Sequence, residues 1–404
     1  MLEVVSLDDA RSLVAGRFGD KMGQMGSDPE LSVPLNEAIG RVIAQDAVAT
    51  EGVPPFDRST VDGFAVVASD TFGCSDALPA LLTLAGEVEM GADAACACGI
   101  GSCVRIPTGG MLPEGADAVV MLEYCEDYGD GTIGVAKPVA PGENIVFRHD
   151  DVKPGQVLIP AGTTLQAHHV GTLASLGLSR IDVVKRQRVA VISTGDEIVN
   201  VDEAPVASQM RDVNAPMLAA AVRAAGAEAV RFPIVPDEYE ALRSTVEDAL
   251  STCDMVLVSG GSSAGQKDNT ARVLSSFGEL LFHGVAVKPG KPTMCADAGC
   301  KPAFGLPGHP VAAYFMYLEL VRPLLAPSQA AGVVARLAAG VPSNHGRAEL
   351  APVRLEPGDG RPAAVPVRGK SGLISQLSGA DGYVEIGRNQ EGLAAGAEVA
   401  VKLF

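Results

Sequence analysis

The sequence predicts a multidomain chain of α/β plus β-rich class. It has a central doubly wound parallel-sheet domain, a small mostly-β domain inserted near the N-terminus, and a C-terminal β-barrel. Three observations carry this. At 404 residues the chain exceeds what one ordinary core accommodates. Between about 188 and 325, apolar strand-like runs alternate with helical ones, the signature of a parallel sheet covered on both faces. In 51–139, and again beyond 331, short β-branched runs alternate with Gly, Asp and Pro turns.

Taken in order, residues 5–25 read as a helix that Ser6 can cap, with Ala10, Leu13 and Val14 on one face. Residues 35–48 read as a short helix leading into a strand. Strands follow at 63–67, 81–84, 102–106, 118–122 and 131–135, and a Gly/Pro-punctuated connector covers about 144–165. The α/β alternation begins with a buried strand at 188–193 and a helix at 214–224. A strand at 229–235 and an amphipathic helix at 238–250 come next, the latter aligning Leu242, Val246 and Leu250. A strand at 254–259, a helix at about 269–277 and a strand at 280–287 complete it, and Pro310 suits the first turn of a last helix. Short strands return at 349–355, 363–367, 383–386 and 398–403. The expected domains are 1–50 with 140–175 (helical and linker), 51–139 (β-rich), 176–327 (α/β) and 328–404 (barrel).

Composition narrows the function. With 31 basic against 49 acidic side chains the formal charge is −18, and this average field repels a nucleic-acid backbone. Aromatics are 4% and Trp is absent, so broad stacking platforms are disfavoured. Eight cysteines include no CxxC pair. The cluster Cys96, Cys98 and Cys103 is a poor zinc signature and reads as thiols in a reducing compartment. His168-His169 stands without an HExxH motif. The N-terminus lacks the basic start and apolar core of a signal peptide. The most apolar stretch, 310–326, is interrupted by Glu319 and Arg322 and is too short to span a bilayer. A cytoplasmic protein without nucleic-acid or membrane partners is expected.

An acidic chain concentrates positive charge in Lys288-Pro-Gly290-Lys291-Pro292, followed by Gly305-Leu-Pro307-Gly308-His309-Pro310. Rigid turns of this kind hold ammonium groups and bare N–H groups in fixed places, which suits a phosphate or another oxyanion. Ligands of parallel sheets bind beyond the carboxyl ends of the strands, where 194–197, 260–268 and 288–292 fall. In Ser259-Gly260-Gly261-Ser262-Ser263-Ala264-Gly265-Gln266-Lys267-Asp268 a Gly/Ser loop can cradle an anion. Gln266 and Lys267 stand where a P-loop needs Lys and Ser/Thr, so a P-loop ATPase is rejected. A plain turn with Asp268 as helix cap explains the segment equally. Thr194-Gly-Asp196-Glu197 offers adjacent carboxylates that a Mg²⁺ ion could satisfy, or a solvated turn. Around 54–66, Asp57 and Ser59 sit at a corner entering a strand. Thr108-Gly-Gly is either an anion nest or an ordinary loop, and 144–151 carries Arg148, Asp150 and Asp151. No Ser–His–Asp or Cys–His arrangement is legible. Carboxylates, lysines and Gly loops fit phosphoryl or nucleotidyl chemistry, where charge neutralisation dominates.

These segments, in this order, resemble the molybdopterin molybdenumtransferase family, the MoeA and gephyrin E-domain type. The matching stretches are 56–66, 108–120, 144–151, 193–197, 259–268, 288–292 and 305–310, with a weaker one at 370–382. The resemblance implies a MogA-like α/β domain in an elongated homodimer, with a cleft between the α/β domain of one subunit and the β-rich domain of the other. It implies that adenylylated molybdopterin and molybdate are co-substrates, that Mg²⁺ assists anhydride hydrolysis, and that a molybdopterin adenylyltransferase is a candidate partner. Carried over residue by residue, Asp57, Asp151, Glu197, Asp237, Asp268, Lys288 and Lys291 become the catalytic candidates, with Glu197 and Asp268 holding the metal. Ser59, Thr108, Thr194, Gly260, Gly261, Ser262, Gly290, Pro307, Gly308, Arg347 and Ser371 become substrate-binding candidates. The chain departs from the family pattern at Ser263, Ala264, Gln266, His309 and His149. The rival expectations are an adenylyltransferase acting one step earlier, a non-catalytic scaffold on the same fold, and a nucleotide-cofactor hydrolase on a related domain.

Overall fold

The structure is a computed structural model that describes residues 4–25, 32–260, 269–326 and 332–404. The chain forms two compact units: Glu30–Val183, and Val184–Phe404 together with the N-terminal segment Met1–Pro29.

The Glu30–Val183 unit is built on a six-stranded sheet. Its order is Ala118–Met121, Gly63–Val66, Ser102–Ile106, Ala80–Glu87, Thr132–Val135 and Cys125–Asp127. Alternation decides its faces. Phe64 and Val66 point into a core with Leu82, Val120 and Ile133, whereas Ala65, Val104, Ile106 and Val119 pack on the other side. A second core around Ile43, Ile159, Leu165, Leu173 and Val183 closes the remainder. Here the expected helix at 35–48 shrinks to one 3-10 turn, Leu35–Glu37. Its backbone has better partners further along the chain: Ile43 N–H donates to Thr163, Ala44 N–H to Asp182, and Leu165 N–H to Arg41. Burial raises the thiols of Cys103 and Cys125 to about 12, so they stay protonated. No group of three or more His, Cys, Asp or Glu side chains able to hold a metal gathers among the described residues.

In the other unit a six-stranded sheet runs in the order Glu228–Arg231, Arg188–Ser193, Met255–Ser259, Lys301–Leu306, Met294–Ala298, Glu279–His283. The first four strands are parallel. Met294–Ala298 runs against both neighbours, so the expected parallel sheet carries one reversed strand. The cause is a two-residue hairpin: Gly299 and Cys300 sit at φ +64° and +72°, the left-handed pair that reverses a strand tightly. Val189, Val191, Met255 and Leu257 face one core and Ala190, Ile192, Val256 and Val258 the other, with helices on both. The strands at 188–193, 255–259 and 301–306 end in step, with Ser193 opposite Ser259 and Ser259 opposite Leu306.

Beyond residue 332 five strands close into a barrel: Ala348–Glu356, Ala363–Pro366, Gly332–Leu337, Glu398–Leu403 and Gly382–Ile386, the last returning to the first. The two-residue strand Val287–Lys288 adds to it from the α/β domain, pairing with Ala348 and Glu349.

The first helix, Leu7–Met25, does not join residues 32–50. Leu7, Ala10, Val14 and Phe18 form an apolar stripe that packs into the core containing Phe282, Val285 and Tyr317. Arg11 on this helix meets Glu319, a carboxylate 6% exposed inside a π-helical turn at Tyr317–Val321. Arg11 Nε lies 2.8 Å from Glu319 Oε2, Tyr383 donates its hydroxyl at 2.5 Å, and Lys402 donates at 2.9 Å. Glu385 shares Arg11 and Lys402 at 2.7 and 2.9 Å. Burial pushes the Glu385 carboxyl up, but hydrogen bonds from Arg11 and Lys402 overcome this and hold it below the ordinary carboxylate range.

A carboxyl lowered in the folded state stabilises the fold above its unfolded-state value, and that contribution fades as pH falls through the folded value. Arg11→Met should therefore lower stability at neutral pH by about 2 kcal/mol, the scale of a lost hydrogen bond to a charged group. It should also flatten the acid limb of a urea-denaturation series below pH 5. Cys300→Gly should raise the unfolding free energy by roughly 1 kcal/mol, read as a higher urea midpoint, because glycine adopts φ +72° without the Cβ penalty.

Candidate functional site

Two groups of expected residues emerge, one in each unit. In the Glu30–Val183 unit, the short strand Arg58–Ser59 pairs with Ile145–Val146, which brings 57–59 beside 144–151. Asp57 Oδ1 accepts the Arg148 N–H at 2.6 Å. The loop 108–111 joins them: Gly109 N–H donates to Ser59, and Leu112 N–H to Asp57. Ser59 is buried, and its hydroxyl closes a local turn on Val61. Thr108 donates both its N–H and its hydroxyl to Asp62 Oδ1, at 2.7 and 2.9 Å. Those two bonds hold the Asp62 carboxyl below its ordinary range. An anion at Thr108 must therefore compete with a carboxylate already seated there. Asp151 is exposed, and its N–H donates to Val53. Asp62 was legible in sequence only as a turn residue ahead of Gly63.

In the other unit, the carboxyl ends of the in-step strands form a lip. Thr194 is buried, its N–H donating to Ser259. Gly260 has φ +113°, and an added Cβ would lie 2.0 Å from the Thr194 carbonyl oxygen, so only glycine fits. Asp196 Oδ1 accepts the Asp237 N–H at 3.1 Å, and Asn269 donates to the Asp237 carbonyl at 2.9 Å. These contacts set Asp237 beside the 194–197 loop. The Glu197 side chain is exposed and has no hydrogen-bond or ion-pair partner among the described residues. Gly261, Ser262 and Asp268, with Ser263, Ala264 and Gln266, lie outside the described residues.

The lysine loop is a closed turn. Thr293 donates its hydroxyl and its N–H to the Gly290 carbonyl, and Val285 N–H donates to Lys291. Gly290 has φ +127° and lies so close to Met316 that a Cβ would come within 2.7 Å of Sδ. The loop leads into Met294, whose strand neighbour is Gly305, so it stands at the same lip. Its two ammonium groups differ. Lys288 pairs with Glu349 at 2.7 Å, and Ser343 holds the second Glu349 oxygen at 2.9 Å. Lys291 is exposed and makes no ion pair among the described residues. Glu349 lies 61 positions from Lys288, and nothing in the sequence links them. Arg347 immediately precedes Ala348, whose N–H donates to Ala286 beside the lysine strand. Ser371 docks on the last α/β helix: its carbonyl accepts the Val311 N–H at 3.2 Å, and its hydroxyl meets His309 Nδ1 at 2.8 Å. Pro307 and Gly308 complete the lip next to Gly260.

Among the described residues this lip offers one lysine without an ion-pair partner, Lys291, and carboxylates at 196, 197 and 237. That is an arrangement for positioning an anion and neutralising its charge.

Comparison with known proteins agrees along the whole chain. Residues 5–177 match the model described as MoeA N-terminal region (domain I and II). Residues 190–327 match the "Probable molybdopterin binding domain", and 334–404 the MoeA C-terminal region (domain IV). The chain is 35% identical over 330 residues to a molybdopterin molybdenumtransferase of Haemophilus influenzae, covering 81% of this chain and 78% of that one. It is 32% identical over 303 residues to a molybdopterin molybdenumtransferase of Staphylococcus aureus, covering 75% and 72%. A crystal structure of a molybdopterin biosynthesis MoeA protein from Pyrococcus horikoshii superposes with a TM-score of 0.85 at 36% identity, over 99% of each chain. With all three regions matched in order and the fold shared end to end, the chain belongs to the MoeA family of molybdopterin biosynthesis proteins.

Proposed function

We propose that this chain is a molybdopterin molybdenumtransferase. It takes adenylylated molybdopterin and molybdate, cleaves the phosphoanhydride with water, and places molybdenum on the dithiolene sulfurs, releasing AMP and molybdenum cofactor. The observation that carries this reading is the likeness to relatives of that name, 35% identical over 81% of this chain in the Haemophilus case. The geometry of the lip supports it. Lys291 presents an ammonium to an oxyanion or phosphate. Lys288, neutralised by Glu349, holds the loop against the barrel, and its charge becomes available when an anion competes with Glu349. Arg347 and Ser371 are the barrel's candidates for molybdate, Pro307 and Gly308 are candidates to line the approach, and the buried Thr194 and Gly290, with Gly260, would shape it from beneath.

The donor set suits a hard cation shared with substrate. Mg²⁺ is held through one or two carboxylates plus phosphate oxygens and water rather than in an all-protein cage. The exposed Glu197 fits that role, with Asp268 or Asp237 as second donor. Bound there, Mg²⁺ would supply charge neutralisation on the anhydride. Asp57, Asp151, Ser59 and Thr108 are proposed as the contribution of the Glu30–Val183 unit. We also read the chain as a cytoplasmic homodimer that receives its substrate from an adenylyltransferase. Eight unpaired cysteines suit a reducing compartment. No helix among the described residues is long and apolar enough to cross a membrane.

Purified protein supplied with adenylylated molybdopterin, Mg²⁺ and molybdate should release AMP and yield active cofactor. Pyrophosphate formation from ATP and free molybdopterin would instead favour the adenylyltransferase reading. Lys291→Ala should keep its melting temperature and lose about 10²–10³ in turnover, the cost of one transition-state donor. Asp237→Ala should fall in the same range, measured by AMP release. Light scattering should return twice the mass of the 41.4 kDa chain.

A further inference from the structure

A buried polar knot ties three segments together at the lip. Asn214, in the first turn of the helix Asn214–Ala224, is 8% exposed. Its amide nitrogen donates to Ser259 Oγ at 2.7 Å and to the Gly308 carbonyl at 2.8 Å. The Gly308 carbonyl can only accept, so the orientation of the amide is settled by its partners. The neighbouring Asp212 is well satisfied, taking the Ser193 hydroxyl and the Ala215 N–H on Oδ1, each at 3.0 Å. The Asn214 amide oxygen is different. It is fully buried and has no hydrogen-bond partner among the described residues.

Burying a carbonyl without a donor forfeits its hydration for nothing, and native structures rarely keep such a group where no function uses it. Its amide nitrogen bridges Ser259, which leads into Gly260, and Gly308, so the oxygen belongs to a side chain fixed at the strand ends. The two glycine backbones stand close, an added Cβ on Gly308 falling 3.8 Å from the Gly260 Cα. The chemistry of the acceptor selects its partner. Molybdate and ionised phosphates carry acceptors only and cannot satisfy a carbonyl oxygen. A pterin carries ring and exocyclic N–H donors and can, as can the adenine and ribose of an adenylyl group; binding of molybdopterin without that group separates the two.

We propose that Asn214 is a substrate-recognition residue, its Oδ1 accepting a hydrogen bond from an N–H of the pterin ring. The inference rests on the molybdopterin reading above and adds a direction to it. Asn214 stands at the ends of the Met255–Ser259 and Lys301–Leu306 strands, whereas Lys291 leads into the next strand over, Met294–Ala298. The pterin end of the substrate therefore lies toward Asn214 and its anionic end toward the lysine loop.

Binding of molybdopterin, and separately of molybdate, to the full chain tests this. Asn214→Ala should weaken molybdopterin at least 10-fold while leaving molybdate affinity within about 2-fold. Ser259→Ala removes a tie but leaves the amide oxygen, so it should lower the melting temperature and change molybdopterin affinity less than about 3-fold. Equal loss in both variants would reduce Asn214 to a brace for the strand ends and overturn the proposal, as would wild-type affinity in Asn214→Ala. A structure of the wild-type complex does not depend on either variant folding. A ligand nitrogen within hydrogen-bond distance of Oδ1 supports the proposal, whereas a water or a chain N–H on that oxygen rejects it. Failure of the wild-type chain to bind molybdopterin at all would remove the functional reading itself, and this inference with it.

Discussion

The desolvated carboxylate of Glu319 is the constraint on which the larger unit depends. A charge inside an apolar core is tolerated only when donors surround it, and here they come from three places: Arg11 of the first helix, and Tyr383 and Lys402 of the barrel. The first helix and the barrel are thereby fixed to the last α/β helix. With the barrel so oriented, Ala348 and Glu349 lie against Val287 and Lys288, and Ser371 lies against His309. The candidate anion site is thus assembled by an ion network outside the lip, and its precision derives from packing at some remove from the chemistry.

The electrostatics of the two site regions follow one pattern. Groups that read in sequence as free donors are held by acidic partners: Lys288 by Glu349, and the Thr108 donors by Asp62. A net charge of −18 makes such pairing economical for solubility, yet it means that an anionic substrate binds largely by exchange. Lys291 stands apart: its loop is held by backbone bonds and it has no counter-ion among the described residues, which keeps its full charge available.

Much of this architecture was legible because it follows local rules. The helix Asn269–Phe277 and the strand Arg188–Ser193 lie where periodicity puts them, and every β-branched run expected between 63 and 135 is a strand. Legibility failed where distant partners decide. Residues 41–44 have helical spacing but bond to 163–165 and 182, so no helix forms. The Gly299-Cys300 reversal was missed because a cysteine in the left-handed region is not a turn signal. In the site, the residue types and their order could be read, but not the partners. Glu349, Asp62 and Asn214 act through contacts 61, 46 and 94 positions away.

Closure of the barrel has its own consequence. Ring closure satisfies the strand edges internally, and the exposed flank of Ala348 and Glu349 is covered by the lysine strand. That flank thus offers no template for recruiting a foreign strand. Association along it must proceed by side-chain packing, and strand addition there would first require lifting the lysine strand away.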